Sequence, residues 1–278
     1  MQVSQIELVE FSPNHLEGAV ALSRQAGWPH RLEDWAMVLS LSTGIVALDN
    51  GRVAGTILVT HYGGAGARIN MVIVDKAMRG RGIGRRLMDV ALADCKGREC
   101  RLVATEEGLP LYTKLGFQET GIIRQHQGII NARAPVEGVT WATAADIAEC
   151  AAMDRAASGL DRAELIASLA DRGSIATLRR KDNIAGFAAL RDFGRGEVAG
   201  PVVAASAEDA KHLLAFLFAA RPGAFLRVDT TETSSLGPWL ADQGLAHVGG
   251  GITMSKDGPA ARHTSPFQTF ALASQALG

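Results

Sequence analysis

The sequence predicts an α/β (α+β) fold made of two tandem mixed β-sheet domains with helices on both faces. A length of 278 residues corresponds to about two domains of ordinary size. Short β-rich runs alternate with segments of helical periodicity, a pattern typical of mixed sheets covered by helices. The whole pattern also recurs once along the chain, at an offset of about 130 residues.

The repeat is clearest in two β-hairpin patterns. The run IVALDNGRVAGTILV begins at Ile45, and IATLRRKDNIAGFAAL begins at Ile175; each places two apolar stretches around a polar turn. Chance resemblance between two α/β segments is the alternative, but the shared order and spacing favour duplication. We therefore predict domains at residues 1–133 and 138–278, joined by a linker that contains Pro135.

Local patterns place the elements of the first copy. Ser12 or Asn14 can cap the first helix. Asn50 followed by Gly51 marks a tight hairpin turn, and Gly97 is suited to end the long helix. The predicted order is a strand at 6–10, helices at 12–25 and 32–41, strands at 45–48, 53–61 and 68–74, a helix at 83–96, a strand at 100–105, a helix at 110–115 and a closing strand that reaches residue 124.

Two further expectations concern the burial of one strand and the position of the last residues. The run at 68–74 is nearly all apolar, so we expect that strand to be buried on both faces. Residues 256–278 have no counterpart between the two copies. We expect them to dock as a strand or a short helix.

Composition and charge exclude several classes of protein. Lys plus Arg total 28 and Asp plus Glu total 29, so a net charge of −1 provides no chain-wide field for nucleic acid or an anionic membrane. A hydrophobic fraction of 47% with 21% charged residues is that of a packed globular chain. The aromatic-rich apolar run at 213–220 is far shorter than the roughly 20 residues of a membrane span. The N-terminal residues show no signal-peptide pattern.

The three cysteines, Cys95, Cys100 and Cys150, cannot all pair, and none lies in a CxxC motif. We interpret them as reduced, buried thiols and expect the protein to be cytoplasmic. Because the segment between Cys95 and Cys100 has no histidine partner, we expect no metal site there.

The densest chemical signal is the run RGRGIGRR at residues 79–86, between a predicted buried strand and an amphipathic helix. Gly80, Gly82 and Gly84 remove the Cβ atoms that would keep a ligand away from the backbone. Amide groups at the start of a helix are unpaired and lie at the positive end of its dipole. With four arginines added, the run is suited to bind phosphate. An arginine-rich turn without a ligand is the alternative.

The spacing excludes two other phosphate-binding motifs. The run does not end in Gly-Lys-Ser/Thr, so it is not a P-loop, and its glycines do not follow the G-x-G-x-x-G dinucleotide pattern. At Arg79 to Gly84 the sequence instead resembles the R/Q-x-x-G-x-G/A motif of the GNAT superfamily of acyl-CoA-dependent N-acyltransferases. The family's later motif, an aromatic residue before Leu-Gly-Phe, is matched at residues 111–117. The tandem organisation is similar to that of bacterial two-domain GNAT proteins whose second domain has diverged.

The resemblance implies that acetyl-CoA is a cosubstrate and lies in a cleft between the strand ending at Val74 and the strand ending at Thr105. Backbone groups of Val72, Ile73 and Val74 would pair with the pantetheine amides. The residues implied to bind the pyrophosphate are Arg79, Gly80, Arg81, Gly82, Ile83, Gly84 and Arg85. The acceptor amine would attack the thioester directly, with no metal and no covalent enzyme intermediate.

This reaction needs a deprotonated amine and a proton for the departing thiolate. A free lysine titrates near roughly 10.4, so most acceptor amines must lose a proton first. Tyr112 matches the position of the family's proton-donating phenol and is our candidate general acid, worth about 10²–10⁴-fold. A packed core tyrosine is the alternative. Glu106 is our candidate base, acting directly or through water, although a solvated surface role is open for it. The other residues eligible by type are Glu107, His30, His61 and Asp34.

Copy two lacks both features. Residues 200–210 contain no arginine and no glycine series. Ser206 and Asp209 are instead typical of a helix cap that satisfies the amides a phosphate would use. Alignment of the copies places Leu240 opposite Tyr112. We predict that copy two does not bind CoA in the usual way and instead completes the acceptor pocket or stabilises copy one; binding through backbone contacts alone is the alternative.

The leading hypothesis is an N-acetyltransferase that moves an acetyl group from acetyl-CoA to a primary amine on a small molecule or a protein. A non-catalytic acyl-CoA-binding or regulatory module is the second reading. A nucleic-acid binder is a poor third, because no aromatic platform accompanies the arginines. In the family the first two helices shape the acceptor pocket, here near Trp28 and Trp35, for which core packing is equally open. Acceptor identity and acyl length stay open, and we expect a monomer or homodimer.

Overall fold

Thirteen strands, counted over the residues that the structure describes, form a single mixed sheet. The computed structural model describes residues 6–131, 136–181, 183–258 and 264–278, so Pro135 of the predicted linker lies outside the described ranges. Helices pack on both faces of the sheet, which confirms the predicted fold class.

The first half contains the elements that the sequence patterns predict. Asn50 and Gly51 both have positive φ angles, 50° and 80°, as the predicted tight turn requires. Ser12 caps a short 3₁₀ turn at Pro13–His15. The strands are β1 (Ile6–Glu10), β2 (Thr43–Asp49), β3 (Arg52–Tyr62), β4 (Gly66–Val74), β5 (Glu99–Ala104) and β6 (Gln118–Ile129), and the helices are α1 (Leu16–Gln25), α2 (Leu32–Ser40), α3 (Ile83–Asp94) and α4 (Leu109–Lys114).

The second half repeats this order and adds one strand. The strands are β7 (Val139–Trp141), β8 (Ser174–Arg180), β9 (Asn183–Phe193), β10 (Gly196–Ala204), β11 (Phe225–Thr231), β12 (Ala246–Lys256) and β13 (Gln268–Ala271), and the helices are α5 (Ile147–Ser158), α6 (Ala163–Arg172), α7 (Ala207–Ala219) and α8 (Gly237–Asp242). Within the described ranges, no helix is both long enough and apolar enough to cross a lipid bilayer.

The two halves exchange their closing strands. The order across the sheet is β1-β2-β3-β4-β5-β12-β6-β11-β13-β10-β9-β8-β7. Thus β12 of the second half lies beside β5, whereas β6 of the first half lies beside β11. Sequence patterns did not predict this exchange, because they indicate that a strand exists but not which edge it joins. Strand β6 also extends to Ile129, beyond the predicted end at residue 124.

The strand order is symmetric about the β12–β6 pair at the centre of the sheet, apart from the added strand β13. Gly251 pairs with Ile123, and Ile252 of β12 pairs with Ala104 of β5. The backbones approach closely here, because a Cβ atom on Gly250 would lie 1.8 Å from the Ile123 carbonyl oxygen. The glycines at this crossing therefore permit the antiparallel contact that joins the two halves.

Alternate residues of the strands feed cores on opposite faces. On β3, Leu58 belongs to a cluster with Trp35 and with Phe187 of the second half. Its neighbour Ile57 points to the other face and packs with Leu87 of α3. The first of these clusters contains residues of both halves. Burial of apolar surface therefore holds the halves together, in addition to the pairing of strands in the sheet.

The strand exchange predicts that the first half does not fold alone. Residues 1–133 expressed without the rest would leave the β5 edge unpaired and deprive β6 of both neighbours. We expect this fragment to aggregate or to lack a cooperative thermal transition. Co-expression with residues 134–278 should yield a 1:1 complex, measured by light scattering and circular dichroism. A monomeric fragment 1–133 that melts cooperatively would contradict the exchange.

Candidate active site

The sheet of the first half opens between β4 and β5. These parallel strands pair only at residues 66–68 of β4 and 99–101 of β5. Further along, β4 contains a bulge at Met71, whose φ is 51° and whose carbonyl accepts a 2.8 Å hydrogen bond from Thr56 Oγ1. The bulge turns the strand away from β5. The result is a splayed pair of strands with unpaired backbone groups along its inner edges.

A cavity of about 500 Å³ lies beside the splay. Both halves of the chain contribute to its wall. From the first half come Trp28, His30, Asn70, Met71, Thr105 and Gln127, and from the second half Phe193, Arg195, Arg227, Gly250, Ser274 and Gln275. Trp28, predicted for the acceptor pocket, therefore lines the cavity, whereas Trp35 is fully buried and donates to Ser23 Oγ at 2.9 Å.

The loop from Arg79 to Arg85 connects β4 to α3 and presents free amide groups. Gly80 and Gly82 both have a φ of 76°, a conformation that glycine adopts without strain. Gly82 is the N-cap of α3, and the first amide bonded back to it is that of Arg86. In the described part of the chain, no acceptor takes the amide hydrogens of residues 80–85. The loop therefore has free donors suited to an anion, at the positive end of a helix dipole.

The three glycines of this loop differ in the space around them. A Cβ atom on Gly80 or Gly82 would meet nothing within 4 Å, so these positions are open to an incoming ligand. A Cβ atom on Gly84 would lie 3.5 Å from Leu111 Cδ2, which is ordinary contact with α4. Backbone conformation and ligand access thus account for Gly80 and Gly82, whereas the space at Gly84 would accommodate a small side chain in contact with α4. Ile83, the first residue of α3, is buried.

The arginines of the loop differ in what they contact. Arg79 reaches across the cleft to Glu107 at 3.0 Å and donates from Nε to the Val74 carbonyl at 3.4 Å. Arg85 pairs with Asp89 at 2.8 Å within α3. Arg81 is exposed and has no ion-pair partner among the described residues. Arg81 is therefore the loop cation most available to a phosphate.

The end of β4 is paired on one side only. Val74 pairs with Gly55 and Ile73 with Thr56, both on β3. The side of Val72, Ile73 and Val74 that faces β5 has no strand partner among the described residues. These groups could therefore form β-like hydrogen bonds with an extended ligand, once the long Arg79 contact to the Val74 carbonyl is replaced.

Tyr112 lies on α4 below the mouth of the splay. Burial raises its pKa to about 12, so the phenol is protonated at neutral pH. Its hydroxyl has no hydrogen-bond partner among the described residues, whereas Tyr62 donates to the Leu277 carbonyl at 2.6 Å. A Cβ atom on Gly108 would lie 2.8 Å from Tyr112 Cε2 and 3.5 Å from Thr105 Oγ1. The phenol ring therefore lies near Thr105 at the end of β5. Tyr112 itself packs in the core with Phe117 and is not among the described residues that line the cavity.

Four of the five groups that the sequence offers as bases do not line the cavity. Glu106 is exposed at the start of the turn after β5, and Glu107 is paired with Arg79. His61 contacts Asp94 at 2.8 Å on the surface. Asp34 is held by Arg31 and by the Gly194 amide. Although burial opposes its ionisation, these hydrogen bonds hold the pKa of Asp34 below its usual value.

His30, the fifth candidate base, does line the cavity. Burial lowers its pKa to about 4; attraction to Asp34 opposes this shift, and repulsion from Arg227 and Arg191 adds to it. Its Nδ1 atom is buried and has no hydrogen-bond partner among the described residues. Its ring packs edge-on against Phe193 of the second half, at 5.3 Å. The residue type alone placed His30 among five candidates, and its position between the two halves could not be read from the sequence.

The corresponding opening in the second half is closed. Strands β10 and β11 pair at only two positions and then separate, as β4 and β5 do. Here β13 lies between them: Ala271 pairs with Val202 on one side and with Thr230 on the other. The predicted cap is confirmed, because Ser206 Oγ accepts from the Asp209 amide at 3.2 Å. Leu240, opposite Tyr112 in the alignment, is fully buried.

Comparison with known proteins assigns the chain to a class of acetyltransferases. Residues 40–119 match one description of an acetyltransferase (GNAT) domain, and residues 150–267 match a second. Together the two matches cover well over half of the chain. The protein therefore belongs to the GNAT acetyltransferases and contains two such domains in tandem.

Individual relatives agree with this assignment. The uncharacterized N-acetyltransferase YitH of Bacillus subtilis (strain 168) is 28% identical over 248 residues, which are 86% of this chain and 87% of that protein. A putative acetyltransferase from Pyrococcus horikoshii has a TM-score of 0.84 at 18% identity, covering 100% of this chain and 98% of that chain. A GCN5-related N-acetyltransferase from Sphaerobacter thermophilus has a TM-score of 0.64 at 16% identity, covering 93% and 98%. At these identities the structures show a shared fold.

The buried imidazole of His30 predicts a loss of stability in mild acid. Its pKa of about 4 in the folded protein lies below the ordinary value of 6.5, so between these pH values the unfolded chain binds the extra proton. The free energy of unfolding should fall as the pH drops through this window, by at most about 3 kcal/mol from this group. Urea unfolding of the wild type and of His30→Asn at pH 7, 5.5 and 4.5 measures the difference. Parallel pH profiles for the two proteins would contradict this environment for His30.

Proposed function

We propose that this GNAT protein transfers an acetyl group from acetyl-CoA to a primary amine by direct attack in a ternary complex. The observation that carries the proposal is the set of free amides at residues 80–85, at the end of an open splay that itself lies beside a cavity. A diphosphate fits the amides, and an extended chain fits the splay. The cavity on the other side then supplies room for an acceptor.

The donor would bind almost wholly to the first half. The amides of the Arg79 to Arg85 loop would hold the pyrophosphate, with Arg81 as an added cation. The free backbone edge of Val72, Ile73 and Val74 would pair with the pantetheine amides. This arrangement would bring the thioester to the end of β5, where Thr105 meets the cavity. The closed opening between β10 and β11 supports one donor site for the chain rather than two.

The reaction would then form one C–N bond and break one C–S bond. The amine lone pair attacks the thioester carbonyl, and collapse of the intermediate releases the CoA thiolate. We propose that the Tyr112 phenol gives this thiolate its proton. A hydroxyl that is protonated at neutral pH and has no protein partner in the described part of the chain is suited to that role.

The proton released by the amine needs a separate acceptor. Glu106 stays our predicted base, but its exposed position outside the cavity wall means that it would act through water. His30 is neutral and lines the cavity, so its unpaired Nδ1 can accept a hydrogen bond from the amine. We propose that His30 orients the acceptor, since an imidazole with so low a pKa is a weak base.

A non-catalytic acyl-CoA-binding module is the second candidate function, and the composition of the cavity wall favours it. No Asp or Glu is found among the described residues of the cavity wall, which is also what a non-catalytic acyl-CoA-binding module would show. Release of free CoA thiol in the presence of an amine panel separates the two. If acetyl-CoA binds but no amine accelerates thiol release over buffer, the protein is a binding module and not an enzyme.

Tyr112→Phe tests the acid. We expect the single-turnover rate to fall by about 10²–10⁴-fold, while the Kd for acetyl-CoA stays near the wild-type value. Tyr62→Phe is the matched control, because it removes a buried phenol hydroxyl that bonds only to the Leu277 carbonyl. It should cost about 1 kcal/mol of stability and leave the rate close to wild type. An unchanged rate in Tyr112→Phe would remove this residue from the mechanism.

Gly82→Ala tests the donor cradle. Gly82 and Gly97 both have positive φ, at opposite ends of α3, and both have open space where a Cβ would lie. Each alanine variant should therefore lose a similar free energy of unfolding, about 1–2 kcal/mol. Only Gly82→Ala should weaken CoA binding, by about tenfold or more, in calorimetric titration. Equal Kd values for the two variants would show that the loop does not hold the diphosphate.

A further inference from the structure

The charge on the cavity wall is one-sided. Arg195 and Arg227 line it, and among its described residues there is no Asp or Glu. Both arginines belong to the second half of the chain, the half without a donor cradle. A cavity that served only to attract a protonated amine would present the opposite charge. The transfer of an acetyl group does not by itself explain this excess of arginine on the wall.

Arg227 is fixed in place with one edge free. Its Nε and Nη2 atoms lie 2.9 and 2.8 Å from Asp229 Oδ2. Its guanidinium carbon lies 5.1 Å from the centre of the Phe193 ring, which also lines the cavity. Within the described chain, Nη1 has no acceptor. Because Asp229 is fully buried and also accepts from Gln275 at 3.1 Å, it is a support for Arg227 rather than a group that faces a ligand.

Arg195 is a second cation on the same wall, and it has no carboxylate partner in the described residues. It follows Gly194, whose amide donates to Asp34 Oδ2 at 3.0 Å and so ties this turn to the first half. The Arg195 guanidinium stacks over Phe225 at 5.1 Å. The side chain is exposed to solvent at the cavity, so it can reach a ligand without first giving up a protein partner.

The other charges near the cavity are already paired or neutral. Asp34 is engaged by Arg31, Arg191 and the Gly194 amide. Arg191 is a second buried guanidinium, 5.1 Å from the Phe193 ring. His30 is uncharged at neutral pH and lies against the same ring. Because Asp229 already pairs with Arg227, a ligand acid group between the two arginines would gain charge-assisted hydrogen bonds mainly from Arg195, and from Arg227 through its free Nη1 edge.

We propose that the acceptor carries an acid group, a carboxylate or a phosphate, in addition to its amine, and that Arg195 and Arg227 bind that group. The inference rests on the proposed transfer of acetyl to an amine and adds the substrate class. It also gives the second half a function: the first half binds the donor, and the second half selects the acceptor. The amine would then point from the acid group toward the splay, where Thr105 and the thioester meet.

Matched pairs of amines test the proposal. Phenylalanine is compared with phenethylamine, and phosphoethanolamine with ethanolamine, by release of CoA thiol under saturating acetyl-CoA. We expect kcat/KM to be about 10- to 100-fold higher for the acid-bearing member of at least one pair. The pair that discriminates identifies whether the group is a carboxylate or a phosphate. Equal values within both pairs, or a preference for the acid-free members, would overturn the proposal.

Arg195→Gln then tests the residue. We expect the variant to lose most of the preference for the acid-bearing amine, because kcat/KM falls much more for that amine than for the acid-free one, and to bind CoA as the wild type does. Arg195→Lys should retain part of the preference. Arg155→Gln is the control, because Arg155 is an exposed arginine on α5 outside the cavity wall. Equal losses for both members of a pair would show a structural role and contradict the assignment.

A binding measurement keeps this proposal separate from the proposed function. The same four amines are titrated calorimetrically into protein saturated with CoA. Preferential binding of an acid-bearing amine that is lost in Arg195→Gln supports the acid-binding wall, even if no amine is acetylated. Binding without such a preference overturns it, even if acetyl transfer is observed.

Discussion

The early separation of β4 from β5 is the constraint on which the rest of the structure depends. Backbone groups inside a sheet are almost always paired, so a strand edge left open in the middle of a sheet must be closed by something. The two halves close it differently. In the second half the chain's own β13 lies between β10 and β11. In the first half the edge stays open beside a cavity and next to a loop whose glycines leave its amides free. A ligand with amides at one end and a diphosphate at the other would complete the sheet there as β13 does in the second half.

The exchange of β6 and β12 brings the second half to the opening between β4 and β5 of the first half. Because β12 lies against β5, Gly250 and the second half's turn after β9 reach the mouth of the first splay. The residues after β13 continue into the first half, where Arg68 donates to the carbonyls of Gln275 and Ala276 at 3.0 Å. The cavity is therefore a joint product of both halves. Under the proposed function it would hold the acceptor, and the second half, whose own opening is filled by β13, would shape its wall.

Much of the architecture could be predicted from the sequence, and the site only in part. The hairpin at Asn50 and Gly51, the apolar β4 and the cap at Ser206 follow from local rules, and the structure confirms them. Strand exchange and the insertion of β13 depend on long-range pairing, which short patterns do not specify. The loop at residues 79–86 could be identified because its chemistry is contiguous. His30, Arg195 and Arg227 come from three separate segments, so their convergence on one cavity left no local signal.

We propose that the free amides of the Arg79 to Arg85 loop bind the diphosphate of CoA and that the second half does not. A direct test follows amide chemical shifts in ¹⁵N-labelled full-length protein as CoA is added. We expect large, saturable shifts at Gly80, Gly82 and Gly84, with residues 205–209 unaffected. Saturating CoA that leaves the three glycine amides unmoved, or that shifts the α7 N-terminus instead, would contradict it.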